Sequence, residues 1–248
     1  MRNYLNRFSP LQLLKLHISR QIPTSADALK SINSPTLLTS LSELLNEIHE
    51  KSFGNLAKNE LQINFKLSKK ESNIKKAGDG VFITGFRKKN SIVALYPGLI
   101  YDQANDPKFI PSLNNQYFLR CFDGIYCDGK YNGLSKLLYT SKYSRINDPL
   151  QTIKFGDRSW LKKEELLNFL NCGQFINNAN QNFTSNVRYQ ELNVPPTFPM
   201  ELRYLIPNLH YRENWIPFED FTRVICLIST RDLKNEELFS TYNDVVVV

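Results

Sequence analysis

The chain has 248 residues, 42% hydrophobic and 12% aromatic, which is enough apolar surface for one large domain and too much for a disordered chain. Ten Gly and 12 Pro exclude collagen-like and low-complexity architectures, and no run of about 18 apolar residues marks a transmembrane helix. The net charge of +7 points first to nucleic acid or an acidic membrane surface, but residues 1–76 hold +6 of it and residues 77–248 only +1. A nucleic-acid partner is therefore not expected for the body of the chain.

Arg2, Arg7, Lys15 and Arg20 precede the first acidic residue, Asp27, and Leu11, Leu14 and Ile18 fall at helical spacing. Such an acid-free start reads either as a mitochondrial presequence or as an exposed basic helix of a nuclear or cytoplasmic protein. Lys15, His17 and Arg20 interrupt every apolar stretch, which excludes a secretory signal. A helix is predicted from Ser34, with Ser34 as its cap and Pro35 at its first position. Its apolar stripe is Leu38, Leu41, Leu45 and Ile48, and Gly54 stops it. Residues 66–76 (KLSKKESNIKK) read as a solvated linker. The expected division is thus a basic helical extension with linker over 1–76 and a main domain over 77–248.

From Ala77 the pattern changes to short β-like runs. Val81–Thr84 and Ile92–Tyr96 flank the polar stretch Arg87–Asn90, as in a hairpin. Tyr117–Phe122 and Ile125–Cys127 flank Asp123-Gly124 in the same way. Trp160–Leu170 reads as helical, Arg223–Ser229 as a buried strand and Arg231–Glu236 as a polar turn before the last segment. The fold class expected is α+β, mainly β.

Several chemistries drop out. Cys121, Cys127, Cys172 and Cys226 form no C-x-x-C pair, and His17, His49 and His210 lack ligand spacing, so no metal is expected. There is no Walker A loop, and Gly133-Leu134-Ser135 lacks the second glycine of a nucleophile elbow. Gly78-Asp79-Gly80 leads into strand-like Val81-Phe82-Ile83 and not into a helix, unlike a dinucleotide fingerprint. Two close glycines before a strand do allow a ligand to approach the backbone. A plain turn fits the same residues.

Four motifs occur in a fixed order: Ala77-Gly78-Asp79-Gly80-Val81-Phe82, then Val93-Ala94-Leu95-Tyr96-Pro97-Gly98, then Gly173-Gln174-Phe175-Ile176-Asn177-Asn178, and last Glu236-Glu237-Leu238-Phe239-Ser240-Thr241-Tyr242. In this order the sequence resembles the SET-domain protein lysine methyltransferases, over roughly two thirds of the chain. The resemblance implies several small β-sheets, with the segment around Asn177 beside the C-terminal strand in a pseudoknot. It implies S-adenosylmethionine on the backbone of Gly78, Asp79 and Gly80, with Asn177 and the backbone of Asn178 holding its amino-acid and adenine portions. Tyr242 matches the family's catalytic tyrosine, which also borders the cofactor, and Tyr96 an aromatic lining the channel for a protein substrate's lysine.

The implied activity is methyl transfer to that lysine by a monomer; the alternative is a non-catalytic SET-fold module that binds a partner protein. In-line transfer needs a neutral amine held at near-attack distance, and a dry aromatic channel disfavours the ammonium form. Tyr242 would then orient groups by hydrogen bonding, with the proton lost to water. The sequence departs from the family's pattern at three places: Asn178-Ala179-Asn180 replaces its usual His-Ser-Cys, Gln174 its Arg and Asn235 its Gly. Six residues follow Tyr242, so no cysteine-rich zinc module is expected over the cofactor.

Overall fold

The structure, a computed structural model, describes residues 18–21, 33–53, 63–102, 115–147, 150, 154–162, 166–241 and 243–246. Helix α1 (Ser34–Phe53) buries Leu37, Leu41, Leu44, Leu45 and Ile48 on one face. Its cap is Asn33 and not the expected Ser34: Asn33 Oδ1 accepts the Thr36 N–H at 2.9 Å, satisfying one of the free donors of the first turn. Pro35 then falls at the second helical position, where a missing N–H costs nothing. The buried face of α1 joins the main core, together with residues of the strands below. Of the expected helical start, Ile18 lies in a strand, and the remaining residues of 1–26 outside 18–21 lie outside the described residues, as does Gly54.

The described strands are β1 (Ile18–Gln21), β2 (Phe65–Glu71), β3 (Asp79–Arg87), β4 (Ile92–Tyr96), β5 (Gly98–Tyr101), β6 (Phe118–Arg120) and β7 (Tyr126–Asp128). They continue with β8 (Asn177–Asn178), β9 (Val187–Val194), β10 (Asn208–His210), β11 (Thr222–Ser229), β12 (Leu233–Glu237), β13 (Phe239–Ser240) and β14 (Asn243–Val246). They form a six-stranded sheet β10-β5-β7-β6-β1-β14, two three-stranded sheets β4-β11-β9 and β12-β3-β2, and the pair β13-β8. The molecule is α+β and mainly β, as expected, built from small sheets with few helices. No helix among the described residues is long and apolar enough to cross a membrane.

The buried run at 223–229 is the central strand β11, buried at every residue. The Asp123-Gly124 turn joins β6 and β7 as an antiparallel pair, with Gly124 at φ 83. Elsewhere the structure corrects the sequence reading. Residues 65–71 are the edge strand β2, paired with β3 from Phe65↔Gly85 to Glu71↔Asp79, where a linker was expected. The lysines that suggested a linker are the residues that guard a free strand edge.

The hairpin expected over 81–96 does not form, because β3 and β4 belong to different sheets. β4 is buried at all five residues and finds that burial against β11, not beside the half-exposed β3. The intervening turn is tied to the end of β11: Asn90 N–H donates to Ser229 O at 2.9 Å and Ser229 N–H to Ser91 O at 3.0 Å.

The helix expected over Trp160–Leu170 is, among the described residues, only the 3-10 turn Ser159–Leu161. The Asp157 carboxylate draws in the Ser159 N–H (2.7 Å), the Ser159 hydroxyl (2.9 Å) and Asn171 Nδ2 (2.6 Å), side-chain bonds that compete with a continuing helix. The unexpected helix is α2 (Gly133–Ile146), which buries Ser135, Tyr139 and Lys142 while Leu134 and Leu137 face solvent. The Tyr139 hydroxyl donates to Asp157 O (2.7 Å) and Pro207 O (3.0 Å), so polar bonds seat the face on which Leu138, Tyr143 and Ile146 are only partly buried. Finally, most of the turn expected over 231–236 is strand β12, paired with β3 through a bulge between Lys234 and Glu236.

Candidate functional site

The turn before β3 is closed by its own backbone: Ser72 N–H donates to Gly78 O at 2.9 Å and Ala77 N–H to Ile74 O at 3.0 Å. The Glu237 side chain, buried at 3% exposure, holds this turn from β12. Its carboxylate accepts the Ser72 hydroxyl at 2.6 Å and the Asn73 N–H at 2.8 Å.

The two glycines of the expected cofactor cradle have different reasons to be glycine. A Cβ on Gly80 would collide with Glu237 Oε1, so Gly80 makes room for the protein's own carboxylate. Gly78 has φ 77, which favours glycine, and a Cβ there would meet nothing within 4 Å. Gly78 therefore leaves this backbone open on one side, with the half-exposed Asp79 beside it.

Asn177 and Asn178 form β8, which runs parallel to β13 in the register Phe239↔Asn177 and Ser240↔Asn178. This is the neighbour relation that the resemblance implied for the segment. Asn177 Nδ2 donates to Asp79 O at 3.1 Å, which joins the asparagine to the glycine turn. Asn186 secures the strand on the other side: its N–H donates to Phe239 O, its Oδ1 accepts the Phe239 N–H at 2.8 Å, and its Nδ2 donates to Glu237 O at 2.8 Å. Asn235, standing where the family has glycine, has φ 51 and accepts the Gly85 N–H through Oδ1 at 2.8 Å. Asparagine is among the few side chains that enter this left-handed region readily, so it takes the glycine's place in the bulge.

Tyr96 is fully buried at the end of β4, and its hydroxyl donates to Tyr117 O at 2.8 Å. Gly129 lies against its ring: a Cβ there would sit 2.7 Å from Tyr96 Cε1. Tyr189, which the sequence did not single out, meets the Tyr96 ring edge-on at 6.1 Å between centroids. The Tyr189 and Ser240 hydroxyls are 3.2 Å apart, so Tyr189 links the Tyr96 motif to the strand leading towards residue 242. Nothing in its spacing sets it apart from the other residues of β9, where it pairs with Leu227. Tyr242 itself lies outside the described residues.

A further group borders these elements. The rings of Tyr117, Tyr131 and Phe175 are separated by 5.3–6.1 Å and steeply inclined, at 51–71°. Lys69 Nζ lies 4.5 Å from the Phe175 centroid and 3.4 Å from Asp79 Oδ2.

Cys121, Asp123 and Glu191 bring their ligand atoms within 4.8 Å of one another elsewhere in the molecule. There the Arg223 guanidinium already bridges Asp123 and Glu191, each at 2.6 Å. Burial pushes the Cys121 thiol well up, against the thiolate a metal would need. The trio is an ion network with its cation built in.

No family model matches the chain. Two curated relatives do. SET domain-containing protein 9 of Pongo abelii is 38% identical over 187 residues, covering 74% of this chain and 66% of the relative. SET domain-containing protein 9 of Homo sapiens is 38% identical over 186 residues, covering 74% of this chain and 60% of the relative. The match thus spans less than two thirds of the relatives' own length.

Proposed function

The chain belongs to the SET-domain family, and from that premise we propose that it is an S-adenosylmethionine-dependent methyltransferase acting on a lysine of a protein substrate. The observation that carries this reading is the convergence of all four motifs. Asn177 bonds Asp79 O, β8 pairs with β13, and Tyr189 connects Tyr96 to Ser240. Residues from four separate stretches of sequence thus meet at one place.

The open side of Gly78 and the Lys69–Asp79 charge pair beside it fit a cofactor with a polar amino-acid end. Gly78, Asp79 and Asn177 would hold that end, and the backbone of Asn178 the adenine. S-adenosylmethionine would supply a methyl group on a positively charged sulfur. The buried rings of Tyr96 and Tyr189 favour the neutral form of an incoming amine, because a dry wall destabilises an ammonium. The Tyr96 hydroxyl donates its proton to Tyr117 O, which holds it as a neutral phenol and leaves its lone pairs to orient an incoming amine. Tyr242, two residues after β13 in the sequence, would orient the amine, whose proton passes to water. No strong side-chain base is needed; positioning supplies much of the rate.

Calorimetry should detect saturable binding of S-adenosylmethionine, and labelled methyl should pass from it to lysines of proteins in a cell extract. Tyr242→Phe should lower that transfer and leave the melting curve in place. Absence of binding at millimolar cofactor overturns the cofactor reading. Unchanged transfer by Tyr242→Phe removes the tyrosine from catalysis.

A further inference from the structure

Lys69 stands on β2 opposite Val81, two positions along from Asp79 across the strand pair. Its ammonium is fixed by two contacts, the Asp79 carboxylate at 3.4 Å and the face of Phe175 at 4.5 Å. Both members of the ion pair face solvent, with the Lys69 side chain 42% and the Asp79 side chain 51% exposed. The same Asp79 holds Asn177 through its carbonyl oxygen, and Phe175 lies two residues before Asn177. A cation and an anion therefore stand side by side at the open edge of the Gly78 turn.

We infer that Lys69 and the Asp79 side chain form a clamp for the zwitterionic amino-acid end of the cofactor, Lys69 taking its carboxylate and Asp79 its ammonium. This rests on the cofactor reading above. An exposed ion pair contributes little by itself, so parting it costs little. A zwitterion entering in the opposite sense replaces one charge pair by two. The Phe175 ring keeps the Lys69 ammonium in place once Asp79 turns to the ligand, since a cation over an aromatic face is held by the ring quadrupole. The clamp reads charge at the amino-acid end and nothing else of the cofactor.

Titration calorimetry of the full chain with S-adenosylmethionine and with its decarboxylated analogue, which keeps the amine and the sulfonium, separates the two roles. Lys69→Ala should weaken the parent ligand roughly fivefold at low salt, the scale of an exposed charge pair, and leave the analogue unchanged. Lys69→Arg should restore most of the loss. Asp79→Asn should weaken both ligands alike, because both carry the amine. Equal effects of Lys69→Ala on the two ligands, or none on the parent, overturn the clamp while the cofactor reading stands. Wild-type protein that binds neither ligand overturns both. Circular dichroism of the variants confirms that the exposed substitutions leave the fold intact.

Discussion

Sheets β4-β11-β9 and β12-β3-β2 have three strands each and share one core, but they differ in how much of each strand it buries. In the first, every residue of β4 and β11 is buried, and the strands are held by packed Ile, Val, Leu and Cys side chains. In the second, much of β2 and parts of β3 and β12 face solvent, and side-chain bonds to backbone atoms set the geometry. Glu237 bonds Asn73 N–H, Asn235 bonds Gly85 N–H, and Asn177 bonds Asp79 O. A packed sheet fails as a whole, whereas a sheet shaped by single polar bonds fails one bond at a time. The first sheet contributes more of the buried core, and the second more of the polar bonds that shape the candidate site.

The largest effect should come from the packed sheet. Ile225 is fully buried on β11, opposite Tyr96 on one side and Glu191 on the other. Ile225→Ala should cost about 2–5 kcal/mol, the transfer loss plus the cavity left behind. Denaturant unfolding measures it as a lower midpoint with an unchanged slope. A cost below about 1 kcal/mol would mean that the sheet collapses around the gap, and the contrast between the two sheets would fail.

The two glycines of the turn should divide a smaller effect between them. Gly80→Ala drives a methyl into the Glu237 carboxylate, so roughly 1–3 kcal/mol of stability should be lost as the bonds to Ser72 and Asn73 are displaced. Gly78→Ala meets no atom within 4 Å but keeps a positive φ, which should cost about 1 kcal/mol. Its methyl enters the space left for a ligand, so cofactor affinity should fall more for Gly78→Ala than its stability does. Thermal melts and calorimetry on the pair should rank them in opposite orders. The same ranking in both measurements would show that the turn acts as one unit.

The sequence made these contrasts legible unevenly. The central strand β11 was plain because Val224 to Ile228 is an unbroken apolar run, and the β6–β7 hairpin because Asp123-Gly124 carries turn chemistry. β2 was hidden, since an edge strand with Lys66, Lys69 and Lys70 has the composition of a linker. α2 was hidden for a related reason: its buried residues are Ser135, Tyr139 and Lys142, and Tyr139 and Lys142 are seated by carbonyl acceptors on distant loops. At the site, the glycine turn and Asn177 were legible as ordered motifs, but their different duties were not. That Gly80 answers to Glu237, 157 positions away, is a fact of the β3–β12 register and not of any local pattern. Tyr189 was missed because only the meeting of β9 with Tyr96 and Ser240 distinguishes it.

The smallest effect should be one of rate alone, with no change in melting temperature. Cys226 lies in β11 opposite Leu95, fully buried, while Cys172 leads into the Gly173–Phe175 turn at 6% exposure. Burial pushes both thiols up to about 12, so near neutral pH neither is reactive until the structure around it opens. For Cys226 that opening must part β11 from β4 and β9. For Cys172 it need release only the segment carrying Phe175 and Asn177, which is held by the bond to Asp79 O, the Lys69 cation–π contact, the Tyr117 and Tyr131 rings and the pairing of β8 with β13. Maleimide should therefore modify Cys172 faster than Cys226, by tenfold for each 1.4 kcal/mol or so between the two opening energies. Peptide mass mapping at successive times gives the ratio. Equal rates would mean that the site segment opens only with the central sheet, and the division of labour between the two sheets would then be one of composition and not of stability.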